Sequence, residues 1–236
     1  GIPMEKIFRG GLKSVYEELL SACNKCQNQE ETDFITCAMA GIDALHTIQD
    51  KFALAARKQG LDDIAKLAEG APWNAPKSFM EGLNTLAFMR KALGSLEGVG
   101  FNTFGRPDVL LKDLYEQDIA RGIPEEALYD AVCRFMLIWD CAVDRREKMT
   151  GWNDYEYENT FTLGGCDKEG NPVWNGVTRM FLDAQNELST LYPKIMYRYS
   201  EASPETYLEA IGRSTLDNRS LGLYENDDCM IPALVE

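Results

Sequence analysis

Asn159-Thr160-Phe161-Thr162-Leu163-Gly164-Gly165 is the stretch whose reading decides the fold class. β-branched and aromatic residues fill it without a helical rhythm, and a glycine pair ends it, so Asn159–Leu163 reads as a short strand. Lys194-Ile195-Met196-Tyr197-Arg198-Tyr199 reads as another, and Glu97–Phe104, with its glycines and aromatics, as an earlier one neighbouring Asn159–Leu163 in the same sheet. Helical patterns separate them. Asn175–Leu191 carries Val177, Phe181, Ala184 and Leu188 on one face, and helices are predicted near Asp108–Arg121 and Pro124–Arg146. Pro124 suits a helix start, with Glu125 and Glu126 in the first turn. Ser203-Pro204 opens a further helix ending near Gly212. Strands alternating with helices long enough to cross back predict a helix-rich α/β arrangement with non-local pairing, part of a barrel.

The first third is helical. From Thr32 to Gly60 the residues Ile35, Met39, Ile42, Leu45, Ile48, Phe52 and Ala55 recur at steps of three and four, and Gly60 is a natural stop. A short helix follows at Asp62–Ala68. Gly70-Ala71-Pro72-Trp73-Asn74-Ala75-Pro76 is a loop, and Ser78 with Glu81 has capping-box spacing ahead of Leu83, Leu86 and Met89. The chain is expected to divide into a helical section, 1–92, and a strand-and-helix section, 93–236.

Lys and Arg total 24 against 38 Asp and Glu, a formal charge of −14. Such an excess repels phosphate backbones and anionic lipid surfaces, which disfavours nucleic acid and membrane partners. No apolar run approaches the ~18 residues of a membrane span. The seven cysteines form no regular framework, which points to a reduced, cytoplasmic setting. Cys23 and Cys26 form a C-x-x-C pair without a second pair, so a metal or redox site there is a minor reading. Cys133 and Cys141, among Val132, Phe135, Met136 and Trp139, read as core. Gly98-x-Gly100 with Gly105 does not have dinucleotide-binding spacing, and the lone His46 lies in a helical pattern that supplies no catalytic triad. By composition alone, Glu225-Asn226-Asp227-Asp228 reads as a solvated turn.

Several stretches, taken in order, resemble the glycyl radical enzymes of the pyruvate formate-lyase type. Asn102-Thr103-Phe104-Gly105-Arg106 followed by Asp113, Tyr115 and Asp118 is similar to the family's G-R segment and the helix behind it. Thr160-Phe161-Thr162-Leu163-Gly164-Gly165 with Asp167 and Gly170 resembles its strand and glycine turn. Pro76-Lys77-Ser78-Phe79, Lys194–Glu201 and Leu223-Tyr224-Glu225-Asn226-Asp227-Asp228 resemble three further segments, the last most closely. The resemblance implies part of a ten-stranded barrel wrapped in helices, whose whole protein holds a cysteine loop meeting a glycine loop that stores a radical. It implies a small-molecule substrate and, as obligatory partner, a radical-SAM activase with an iron–sulfur cluster. In the lyase itself pyruvate is split and an acetyl group passes to coenzyme A. Asn102, Thr103 and Arg106 then belong to one barrel strand end, Thr162, Gly164 and Gly165 to the next, and Asn226, Asp227 and Asp228 lead towards the cysteine loop. These nine are the substrate-side candidates.

No catalytic residue, cofactor or metal ligand is carried over to this segment. Cys229 comes too early for the cysteine loop, no glycine-loop motif is present, and the gene is expected to continue past Glu236. Gly100-Phe101-Asn102-Thr103 lacks the histidine of the diol-dehydratase branch, which leans towards formate acetyltransferase or an unassigned branch acting on another small substrate. Arg106 has two readings, an anion contact or a structural ion pair with Asp113 or Asp118. An incomplete barrel leaves an open sheet edge, so self-association is expected. The competing class is a non-catalytic helical interaction module in which the strands are misread.

Overall fold

A computed structural model describes residues 3–97, 103–141, 160–190, 192–217 and 222–235. The chain divides into two compact units, Gly1–Leu96 and Glu97–Glu236.

The first unit holds α1 (Met4–Cys23), α2 (Gln29–Lys58), α3 (Asp62–Gly70) and α4 (Phe79–Glu97). Asn28 starts α2 by accepting the Glu31 N–H on its side chain, and Gly60 stops the helix at φ +74°. Leu45, Gln49, Ala53 and Ala56 are the buried residues of α2. The buried stripe thus leaves the expected Ile48–Phe52–Ala55 line, and Phe52 stands 55% exposed. Small alanines let α3, with Ala65 fully buried, approach α2 closely, which a phenylalanine there would prevent. Gly11, at φ +72°, breaks α1 where the loop after α3 arrives: a Cβ there would lie 2.2 Å from the Trp73 carbonyl oxygen.

The second unit carries α5 (Pro107–Leu110), α6 (Lys112–Ala120), α7 (Glu125–Cys141), β1 (Thr160–Gly164), α8 (Gly176–Leu188), β2 (Lys194–Tyr199), α9 (Glu205–Asp217), β3 (Leu223–Asn226) and α10 (Asp227–Val235). The strands form a parallel sheet in the order β1-β2-β3, with Thr162 opposite Met196 and Met196 opposite Leu223. Parallel neighbours need crossovers, and α8 and α9 supply them. The sheet also removes the reading of a purely helical module.

Strand side chains alternate between two faces. Phe161, Leu163, Ile195 and Tyr197 are buried, with Phe161 5.0 Å from Phe181 of α8 by ring centroids. Tyr197 reaches Gln185 of α8 and Ser214 of α9 through its hydroxyl. The aromatic core continues from Phe181 to Phe135 and from Phe135 to Phe104, which also meets Trp139 at 4.8 Å. Edge-to-face contacts of this kind add about 0.5–1.5 kcal/mol each beyond the area they bury.

Three expectations are corrected. Glu97–Phe104 is not one strand: Glu97 closes α4, residues 98–102 lie outside the described residues, and Thr103–Arg106 run irregularly. Gly105 at φ +77° breaks the strand geometry, yet the segment lies beside β1, with Phe104 N–H donating to Thr160 and Thr162 N–H to Gly105. The helix expected to end near Gly212 continues to Asp217, because Ile211 and Ser214 are buried on either side of the glycine. Cys141 is exposed at the end of α7 and Cys133 half-buried, so neither is a core thiol. Among the described residues no helix is long and apolar enough to cross a membrane.

Candidate functional site

The polar residues of the second unit gather where β1 and β2 end and α10 begins. Gly164 and Gly165, at φ +74° and +71°, turn the chain out of β1. A Cβ on Gly164 would lie 2.0 Å from the Tyr207 hydroxyl, and one on Gly165 would lie 2.6 Å from Asp227 Oδ2. Glycine is therefore required at both positions by φ and by space.

Arg106 reaches the turn from the segment before α5. Its Nη1 donates to the Cys166 carbonyl at 2.6 Å and its Nη2 to the Gly164 carbonyl. Neither expected partner is used: Asp118 pairs with Arg121 at 3.1 Å and Asp113 lies 3.8 Å from Lys112. Burial pushes the Arg106 guanidinium below its ordinary range, with the Asp108 charge opposing that shift.

Asp108 holds the other side of β1. Its Oδ2 accepts the Gly164 N–H at 2.7 Å and the Thr178 hydroxyl at 3.3 Å, while its carbonyl accepts the Asn175 amide at 2.9 Å. Asn175 caps α8 by accepting the N–H groups of Val177 and Thr178, so one aspartate joins the strand end to the helix start. Asp108 is fully buried, and burial pushes its carboxyl up to about 6 against the opposing hydrogen bonds and the Arg106 charge. Oδ1 of Asp108 and Nε of Arg106 are buried without a hydrogen-bond partner.

Asp227 closes the cluster, 3% exposed. Its Oδ1 accepts from Arg198 Nε at 2.7 Å and its Oδ2 from the Cys166 N–H at 3.0 Å. Burial, and then the Asp227 charge, pushes the Cys166 thiol up. Asp228 Oδ2 accepts the Glu201 N–H at 2.8 Å, and Asn226 Oδ1 accepts the Asp228 N–H at 2.9 Å. The run read as a solvated turn is instead the end of β3 and the first turn of α10.

Of the nine candidates, Arg106, Gly164, Gly165 and Asp227 come together, and Asp228 and Asn226 sit at the edge of the same cluster. Thr103 lies on the β1 side, where its hydroxyl donates to the Thr160 carbonyl at 2.8 Å, and Thr162 is half-buried within β1. Asn102 lies outside the described residues. Sequence reading passed over Asp108, Cys166, Arg198 and Tyr207. The signal for Asp108 was Pro107-Asp108 directly after Arg106, an acid in the first turn of a helix opened by proline. Among the described residues no group of three or more His, Cys, Asp or Glu side chains is placed to hold a metal ion.

A parallel sheet wrapped by crossover helices, with a glycine turn pinned by buried charges, is a barrel-type architecture, and solved structures share it. The chain superposes on an enzyme of 1,2-propanediol dehydration from Roseburia inulinivorans with a TM-score of 0.86 at 21% identity, covering 99% of this chain and 30% of that one. It superposes equally, at 0.86 and 21% identity, on the B12-independent glycerol dehydratase of Clostridium butyricum, covering 98% of this chain and 31% of that one. By sequence it is 26% identical over 253 residues to the isethionate sulfite-lyase of Nitratidesulfovibrio vulgaris, across 98% of this chain and 31% of that protein. The chain belongs to the pyruvate formate lyase-like family, which it matches over residues 2–236, and so to the glycyl radical enzymes. It spans about a third or less of the length of the proteins it matches.

Proposed function

We propose that this chain is the interior barrel section of a longer glycyl radical enzyme that cleaves a small molecule, and that it is inactive alone. One observation carries the reading: Arg106, Asp227 and the Gly164-Gly165 backbone are hydrogen-bonded into one another's strand ends. The segment builds a wall, and the reacting groups come from other parts of the protein. In the whole enzyme a glycyl radical supplies the hydrogen-abstraction chemistry, and a radical-SAM activase installs it. The part played by this chain is to hold the barrel closed and exclude water from the cavity. The formal charge of −14 and the unpaired thiols suit a cytoplasmic enzyme.

Two substrates divide the reading. Formate acetyltransferase action on pyruvate is supported by Leu223–Asp228 and by the missing histidine before Gly105-Arg106. Elimination from a small hydroxylated compound is supported by the kinship with an isethionate sulfite-lyase. The full-length protein, activated anaerobically with its activase and S-adenosylmethionine, is offered pyruvate with coenzyme A, isethionate, or glycerol. Formate and acetyl-coenzyme A support the first substrate; sulfite, or dehydration of glycerol, supports the second. Absence of a radical signal by electron paramagnetic resonance would sink both. The 236-residue chain alone is expected to give neither signal nor product, and formate above the activase-only control would overturn its inactivity.

A further inference from the structure

We propose that Asp227, with Arg198 as its counter-charge, is a positioning residue that sets the path of the chain leaving α10. The proposal rests on the reading above, in which that chain leads to the reactive cysteine.

The argument begins with what holds α10. Asp227 is its one buried residue among those described, while Met230, Ile231, Leu234 and Val235 are 45%, 38%, 79% and 81% exposed. Apolar packing within this unit therefore contributes little to the helix position, and Pro232 inside the helix weakens it further. The first turn is fixed by other means. Asp227 joins Arg198 of β2 and the Cys166 N–H beyond β1, and Asp228 takes the Glu201 N–H beyond β2. Gly165 is pressed against the same pair, since a Cβ there would meet Asp227 Oδ2 at 2.6 Å and Arg198 Cβ at 2.7 Å. The helix start cannot slide along the sheet without parting an ion pair whose carboxylate is buried and leaving that charge unpaired, an unfavourable state. Its direction is thus tied to the ends of two strands at once. A reactive group carried beyond such a helix inherits that placement, and a misplacement of about 1 Å at a reacting centre costs about 100-fold in rate.

Asp227→Asn tests this in the full-length protein. It keeps the side-chain shape but sets an amide N–H against one of two donors, Arg198 Nε or the Cys166 N–H. Spins per chain after anaerobic activation and steady-state turnover, on whichever of pyruvate or isethionate the wild type cleaves, are measured together. The expected result is a radical yield within about twofold of wild type, kcat lowered about 100-fold and KM within about threefold, because an altered reach to the transition state lowers kcat without weakening substrate binding. Asp228→Ala, which removes the Glu201 contact alone, is expected to keep the radical and lose only about three- to tenfold in kcat. Wild-type kcat in Asp227→Asn with the radical intact overturns the proposal. So does joint loss of radical and secondary structure in Asp227→Asn when Asp228→Ala turns over as wild type, since a fold-wide role then suffices. A wild type that takes no radical overturns the enzyme reading, and this inference falls with it.

Discussion

Each unit pins a loop with a buried side chain, and the two do it with different chemistry. In the first, Gln49 is 1% exposed and its Oε1 accepts the Trp73 N–H at 2.9 Å. Leu12 and Lys13 donate their N–H groups to the carbonyls of Pro72 and Trp73, and the indole stacks on His46 at 3.7 Å. In the second, Asp108, Asp227, Arg106 and Arg198 hold the Gly164-Gly165 turn with charged groups. A buried neutral amide left half satisfied costs about 1–3 kcal/mol, whereas a buried carboxylate costs several kcal/mol unless donors surround it. The strand end is therefore tied at more points, tolerates less, and responds to pH.

The largest effect is expected where that tolerance is smallest. Gly164→Ala would set a Cβ 2.0 Å from the Tyr207 hydroxyl and 2.7 Å from the Arg198 carbonyl. These two groups are hydrogen-bonded to each other at 2.9 Å, and the hydroxyl also serves Leu163, so neither is free to yield. A loss of more than about 4 kcal/mol in denaturant unfolding is expected. Gly60→Ala shares φ +74° but meets nothing within 4 Å, so only the left-handed penalty of about 1–2 kcal/mol applies. Equal losses at the two positions would show that backbone conformation, not crowding, governs the strand end.

Asp108→Asn comes next. Well below pH 3.8 the wild-type carboxyl is neutral in folded and unfolded chains alike. As pH rises from there to about 6, the unfolded chain releases a proton that the folded chain retains, so stability falls, and above 6 it levels. A carboxyl raised from 3.8 to about 6 corresponds to a loss on the order of 3 kcal/mol across that window. The asparagine variant keeps an acceptor for the Gly164 N–H and removes the titration. The stability difference, variant minus wild type, is expected to grow by that amount between pH 4 and pH 7 in urea unfolding. A flat difference would show that folding does not raise the Asp108 carboxyl above its unfolded range.

The same contrast explains what could be read in advance. Lys194–Tyr199 is a strand over the span its aromatic run predicts, since periodicity and propensity are local properties. Asp108 and Gly164 are 56 positions apart and Asp227 and Cys166 are 61, so their meeting depends on topology that no local pattern encodes. Glu225–Asp228 has a polar composition that suits a turn, and only the strand pairing of Arg198 with Glu225 turns it inward. Glycines 164 and 165 were legible as the end of a strand, but not the Tyr207, Asp227 and Arg198 side chains that crowd them.

The smallest effect is expected at the neutral clamp, where two terms oppose each other. Gln49→Leu takes the acceptor from the Trp73 N–H, a loss of about 1–3 kcal/mol for a buried donor. Trp73 is half-buried, so water reaches its surroundings and the low end of that range applies. Against this, Gln49 Nε2 is buried with no hydrogen-bond partner, and leucine relieves that cost while filling a similar volume. The net change is expected to be a loss of about 1 kcal/mol in urea unfolding. Neither Gln49 nor the N–H it receives titrates, so the loss should be the same at pH 4 and pH 6, the window in which Asp108→Asn changes most. A loss above about 3 kcal/mol would mean that the amide is fully satisfied in solution, with a bound water serving Nε2.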